Sequence, residues 1–244
     1  LGINLCEKVP DAKTIWKFKN DLAETETVDK LFCMFDEHLE NKGLISHKGT
    51  IVDATFVDAP RQRNSRDENK KIKNGVIPEE WEKPENKSKL AQKDIDADWT
   101  KKNGERHFGY KDHVKCDADS KLITNYSVTS ASVHDSQRCL VFIGQEDEVL
   151  YADSAYSGKP IALALPENCK NQICEKGYRN SPLTSEQKMN NRRKSRIRCR
   201  IEHIFGFMTG AMHGITIRSI GITRAWMNIG ITNLVYNFCR YSYL

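Results

Sequence analysis

The sequence contains no apolar run approaching the roughly 20 residues that a membrane-spanning helix requires. It also lacks a CxxC pair. Of its eight cysteines the nearest two, Cys169 and Cys174, lie five positions apart, with no second pair at zinc-ligand spacing. No membrane partner and no structural zinc centre are expected. No secretory apolar segment opens the chain, so reduced, buried thiols and a cytoplasmic location are the expectation. The first residue is Leu1 rather than Met, and an upstream segment is expected. Acids are scarce where cations are dense. The last 64 residues hold ten Lys and Arg against only Glu186 and Glu202, a local +8 within a whole-chain net charge of +5. That imbalance points to a polyanion partner, with a solvated helix face as the plainer alternative.

What is present suffices for a core: 39% of the 244 residues are hydrophobic. Over residues 10–43, Val28, Leu31, Phe32, Phe35 and Leu39 recur at helical spacing, and Asn41-Lys42-Gly43 reads as a helix stop. A small helical module, residues 1–48, is the reading. Residues 50–59, TIVDATFVDA, switch to β-formers with Asp53 embedded among them and Pro60 after the run. A carboxylate inside a strand is costly unless something pairs with it, and a metal ion is a common reason to keep one there. Asp58 lies nearer the strand end, where exposure is cheap, and ranks second.

Residues 61–105 are polar and read as a long loop or insertion. Asp94, Asp96, Asp98 and Glu105 fall at ligand positions of a calcium-binding loop, but Trp99 occupies the position that needs glycine, so calcium is rejected. Extended segments over 107–115 and 122–129 read as a hairpin. A helix follows to about 143, then a short strand ending at Asp153, a helix over 159–165 and a strand near 172–175. One long helix is expected from Thr184 to about 210, and another over the tail from 215 to 243. The order of mixed β followed by alternating α and β predicts an α/β fold, a ribonuclease-H-like mixed sheet flanked by helices, over residues 49–244.

Within the long helix, six cations crowd residues 192–200, and Glu202 follows Arg198 by one helical turn. Taken alone, Glu202 reads as a salt-bridge residue. With Asp53 and Asp153 it completes three hard-oxygen donors of the kind that hold magnesium for phosphoryl transfer. Arg196, Arg198 and Arg200 would clamp phosphates and keep Glu202 ionised. His107, His113, His134 and His203 do not fall at metal spacing, and packing or hydrogen bonding accounts for each. Tyr110 and Lys111 are candidates to line a DNA groove. Trp81 and Trp99 could stack on an unpaired base or form a small local core.

The segments TIVDAT (50–55), HFGYK (107–111), TSASVHD (129–135), YADSAY (151–156) and RCRIEHIFG (198–206) resemble, in this order, those of bacterial insertion-sequence DDE transposases of the groups numbered four and five. The resemblance runs over nearly the whole chain. It implies that Asp53, Asp153 and Glu202 are catalytic and bind two Mg2+ or Mn2+ ions. It further implies that the partner is double-stranded DNA, bound at the element's terminal inverted repeats by a homodimer, with Arg193, Arg196, Arg198 and Arg200 among the contacts. Metal-dependent 3′-end cleavage and strand transfer in a prokaryotic, nucleoid-associated setting would be the activity. Two positions depart from the family pattern. Ser195 stands where a Tyr is usual and Thr209 where a Lys or Arg is usual. A catalytically impaired or domesticated copy that only binds DNA is therefore the alternative, and a nuclease of the same fold that never joins ends is another.

Overall fold

The computed structural model describes residues 9–102 and 104–244. At its centre lies β1 (Thr50–Asp58), antiparallel along its whole length to β3 (Glu105–Asp117). The far edge of β3 pairs antiparallel with β4 (Ile123–Ser130), and its first residues pair with β2 (Asp98–Lys102). On the other side β1 runs parallel to β5 (Val149–Tyr151), which runs parallel to β6 (Lys170–Asn171). The order β4-β3-β1-β5-β6, an antiparallel meander continued by two parallel strands, is the expected ribonuclease-H-like mixed sheet.

Strand alternation divides the core in two. On one face, Val52 packs with Cys139, Phe142, Leu150 and Ile161 beneath α6 (Ser136–Phe142) and α7 (Lys159–Ala164). Ile51 and Val57 point the other way, onto Ile201, Ile204 and Met208 of α9 (Arg200–Gly210) and Ile229 of α10 (Ile222–Tyr241). Asp53 shares the parity of Ile51 and therefore looks toward α9. Four of the seven described cysteines are buried and none is paired.

The first helices are α1 (Ala12–Glu24) and α2 (Thr27–Asn41), and both pack on α10. The stop read at Asn41-Lys42-Gly43 is there: Gly43 adopts φ +66°, and the Leu44 N–H reaches back to the Leu39 carbonyl at 3.1 Å. Gly109 has a stricter role. Its φ of +147° lets β3 press against β1, where a Cβ would overlap the Val57 carbonyl.

Three expectations are corrected. The segment 61–105 is not an open loop; it carries α3 (Arg66–Lys73), α4 (Glu79–Glu82), α5 (Lys87–Ala91) and β2. Its organiser is Trp81, fully buried, whose indole N–H donates to Glu68 Oε1 at 2.8 Å. That bond and the Ser65–Glu68 capping box hold the Glu68 carboxyl down to about 2, with the Ser65 N–H the largest cause. Trp81 is thus a core residue with no face left for a base. The long helix beginning at Thr184 is two, α8 (Ser185–Arg198) and α9, separated at Cys199. The tail helix begins only at Ile222; ahead of it, Thr216 bridges to Asp58 at the end of β1.

A buried polar pair joins the sheet to α10. Asp112 of β3 is fully buried, and its Oδ1 accepts from Asn233 Nδ2 at 3.2 Å. Asp112 Oδ2 and Asn233 Oδ1 have no other partner. Protonation of Asp112 removes the cost of an unpaired, buried carboxylate charge. Burial pushes the Asp112 carboxyl up to about 7, in keeping with that protonated form.

Candidate active site

Asp53 stands in the middle of β1 with its side chain only 15% exposed. Asp153 follows β5, the parallel neighbour of β1, and caps the short 3-10 turn Ser154–Tyr156 through Oδ1, which accepts the Ala155 N–H at 2.7 Å. The register pairs Ile51 with Tyr151, so Asp53 and Asp153 each lie two residues beyond a paired position on adjacent strands. Adjacent strands lie about 5 Å apart, which sets the two acids side by side. Glu202 reaches the same place from the first turn of α9.

One guanidinium joins them. Arg198 Nη1 sits 3.0 Å from Asp53 Oδ2, and its Nη2 sits 2.7 Å from Glu202 Oε1. Burial pushes the Asp53 carboxyl up to about 6; the Ala54 N–H and Arg198 hold it lower than it would otherwise be, and the charge of Asp153 adds to the rise. Burial opposes the Arg198 charge, but Asp53, Glu202 and Asp153 outweigh it and raise its pKa. Asp53 is therefore a buried carboxylate balanced by one internal cation, which it shares with the exposed Glu202.

The donor set fits hard divalent cations, being three carboxylates with nothing softer among them. Among the described residues, however, the three acids do not bring ligand atoms within 4.8 Å of one another; His47, Glu146 and Asp147 do. That second cluster already holds a cation. Lys115 Nζ lies 2.9 Å from Asp147 and 3.4 Å from Glu146, while Thr50 donates to the other Asp147 oxygen. It reads as a buried ion pair that braces the start of β1.

Of the cations expected to meet DNA, Arg193 and Arg196 are exposed on α8, and Arg198 is half-buried between the acids. Arg200 turns away, donating to the Ala118 carbonyl at 2.7 Å and to Asp119 at 3.0 Å, so that it ties α9 to the β3–β4 turn. Tyr110 and Lys111 correct the expectation of a DNA groove. Tyr110 is fully buried and donates to Asp94 at 2.8 Å; Lys111, 7% exposed, is spent on Asp135 at 2.8 Å and on the Val133 carbonyl. Both side chains are buried, so neither is open to a duplex. Asp58, ranked second as a ligand, is exposed and lies beside His107 at 3.6 Å, outside the cluster.

Lys102 was not foreseen. It closes β2, stands 5.5 Å over the Phe56 ring and adds positive potential that steadies the charged form of Asp53. The signal was available: Asn-Gly at 103–104 is the strongest short hairpin dipeptide, and it would have placed β2 against β3.

The fold and its carboxylate edge define a class, a ribonuclease-H-like domain with acids gathered beside the parallel strands. Residues 45–238 match the family described as "Transposase DDE domain", and the chain belongs to that family. Among solved structures it is similar to a chain of "Cryo-EM structure of piggyBac transposase synaptic complex with hairpin DNA (SNHP)". There the TM-score is 0.41 and the identity 9%, over 79% of this chain and 47% of that one. The chain thus spans about half the length of that relative, a likeness too distant to bear on the site.

Proposed function

We propose that the protein is a metal-dependent DNA transposase of the insertion-sequence type, cutting at the 3′ ends of its element and joining them to target DNA. The observation that carries this reading is the Asp53–Arg198–Glu202 bridge beside Asp153. When bound, two divalent ions, Mg2+ or Mn2+, would neutralise phosphate charge and activate the attacking water or 3′-hydroxyl. Asp53, Asp153 and Glu202 would hold them. With the acids holding those ions, Arg198 would be available to grip a DNA phosphate, and Arg193 and Arg196 on the exposed face of α8 would draw the duplex in. Partners in this reading are the terminal inverted repeats and a second copy of the chain, with residues 1–48 contributing to recognition or pairing.

Asp53→Ala and Glu202→Ala should each abolish Mg2+-dependent cleavage of a duplex carrying the inverted repeat that flanks the gene, while leaving the affinity for that duplex within about threefold. Cleavage by either variant at the wild-type rate would overturn the assignment. A DNA-holding copy without activity is a second reading, and one observation favours it. Thr209 spends its hydroxyl on the Phe205 carbonyl of its own helix at 2.8 Å, leaving no donor where a cation is usual. A wild-type protein that binds the repeat and never cuts it would establish that reading instead.

A further inference from the structure

Three cavities outside the carboxylate cluster run together along one side of the molecule. The first, about 670 Å3, opens between α3 and the β2–β3 hairpin, where Arg66, Lys70, Lys73, Lys101 and Arg106 face the single acid Asp98. The second, about 680 Å3, is walled by Arg61, Lys89, Lys93 and Arg218 against Asp94. The third, about 350 Å3, has Lys19, Arg218 and Arg224 with the exposed ring of Trp16 and no acid. Gln62 lines both the first and the second, and Arg218 with Ser219 lines both the second and the third, so the three adjoin one another.

Eleven cations thus line a track with two carboxylates. One of those two is engaged: Asp94 is buried beneath the Tyr110 hydroxyl. Among the described residues, Lys89 alone of the eleven has a carboxylate partner, Glu68 at 3.4 Å. The others hold unneutralised charge along a concave surface, which concentrates positive potential.

We infer that this track binds the sugar–phosphate backbone of duplex DNA, separately from the arginines of α8. The inference rests on the proposed DNA partner but not on the chemistry at Asp53. Its position suits a flanking contact. Strand β1 leads from Asp53 to Ala59 at the track's edge, and six residues of strand cover about 20 Å. At 3.4 Å per base pair, the duplex would be held about six pairs from the carboxylates. Backbone contacts carry no sequence information, so the track would secure any duplex.

The test is fluorescence anisotropy without divalent metal, on a duplex carrying the inverted repeat and on an unrelated duplex of equal length, across a salt series. The variant Lys70→Glu/Lys101→Glu/Arg218→Glu changes three exposed cations in all three cavities. It should weaken binding at least tenfold and lower the salt slope by about 2 to 3, since each lost phosphate contact removes about 0.9. Loss on both duplexes assigns the track to general backbone binding. Loss confined to the repeat-bearing duplex would overturn it, because the track would then be reading sequence. The glutamine counterpart of the triple variant should give a smaller loss in the same direction, which separates charge from misfolding. Unchanged affinity and slope for every duplex, in a wild type that does bind, would overturn the track and leave the carboxylate assignment standing. A wild type that bound neither duplex would overturn both.

Discussion

The Asp112–Asn233 pair predicts a pH dependence that belongs to one proton. In the folded protein the Asp112 carboxyl titrates near 7, against an ordinary value of 3.8, because burial penalises its charged form. The native state therefore keeps a proton that the unfolded chain has released between those two values. The stabilisation this confers is complete below about pH 4 and is lost as pH rises through 7. Each pH unit in that window is worth about 1.4 kcal/mol. Asp112→Asn keeps the shape and the acceptor for Asn233 Nδ2 but has no proton to lose. Relative to wild type, the variant should gain about 2 kcal/mol between pH 5 and pH 7, read by urea unfolding at each pH. Asp36, whose carboxyl burial also pushes up to about 7, contributes equally to both proteins and cancels in the difference. Parallel stability–pH curves for the two proteins would refute a protonated Asp112.

Two further outcomes follow from the site and the sheet. Arg198→Ala leaves Asp53 and Glu202 facing each other without a cation, and should cost about 2 to 3 kcal/mol in metal-free buffer. Because the vacated space suits a divalent ion, Mn2+ should raise the melting temperature of the variant more than that of wild type; equal shifts would show that Arg198 and metal do not compete. Gly109→Ala should cost more than about 2 kcal/mol, since it strains a φ of +147° and forces β3 from β1. A melting temperature within two or three degrees of wild type, about the shift expected from less than 1 kcal/mol at this size, would contradict the close approach.

The order of β1, β3, β4 and β5 along the chain was legible because each carried its own signature. TIVDATFVD had β-formers around one acid, and YADSAY a short apolar run ending in another. The helix stop at Gly43 and the capping box at Thr184 were equally plain, since each depends on a few neighbouring residues. What failed depended on distant contacts. Residues 61–105 looked structureless because their one large core residue, Trp81, is surrounded by polar sequence, and only the Glu68 bond and the flanking lysines show it buried. Tyr110 and Lys111 looked available because nothing in HFGYK reveals that Asp94 and Asp135 come to meet them. The basic track was hidden by averaging. Acids at 79–85 cancel its cations along the chain but lie outside the three cavities. Glu202 shows the reverse case: one helical turn from Arg198 it looks like an ordinary ion pair, which it is, and the shared guanidinium links it to Asp53.

The central claim is that Asp53, Asp153 and Glu202 form one metal-dependent centre for cutting and joining DNA. It is tested most directly by incubating the protein and Mg2+ with a labelled, pre-cut duplex that ends in the inverted repeat, plus a circular target, and scoring joined molecules. Wild type should give joined products, Asp153→Asn none, and both the same duplex affinity. Joining by Asp153→Asn at the wild-type rate would contradict it.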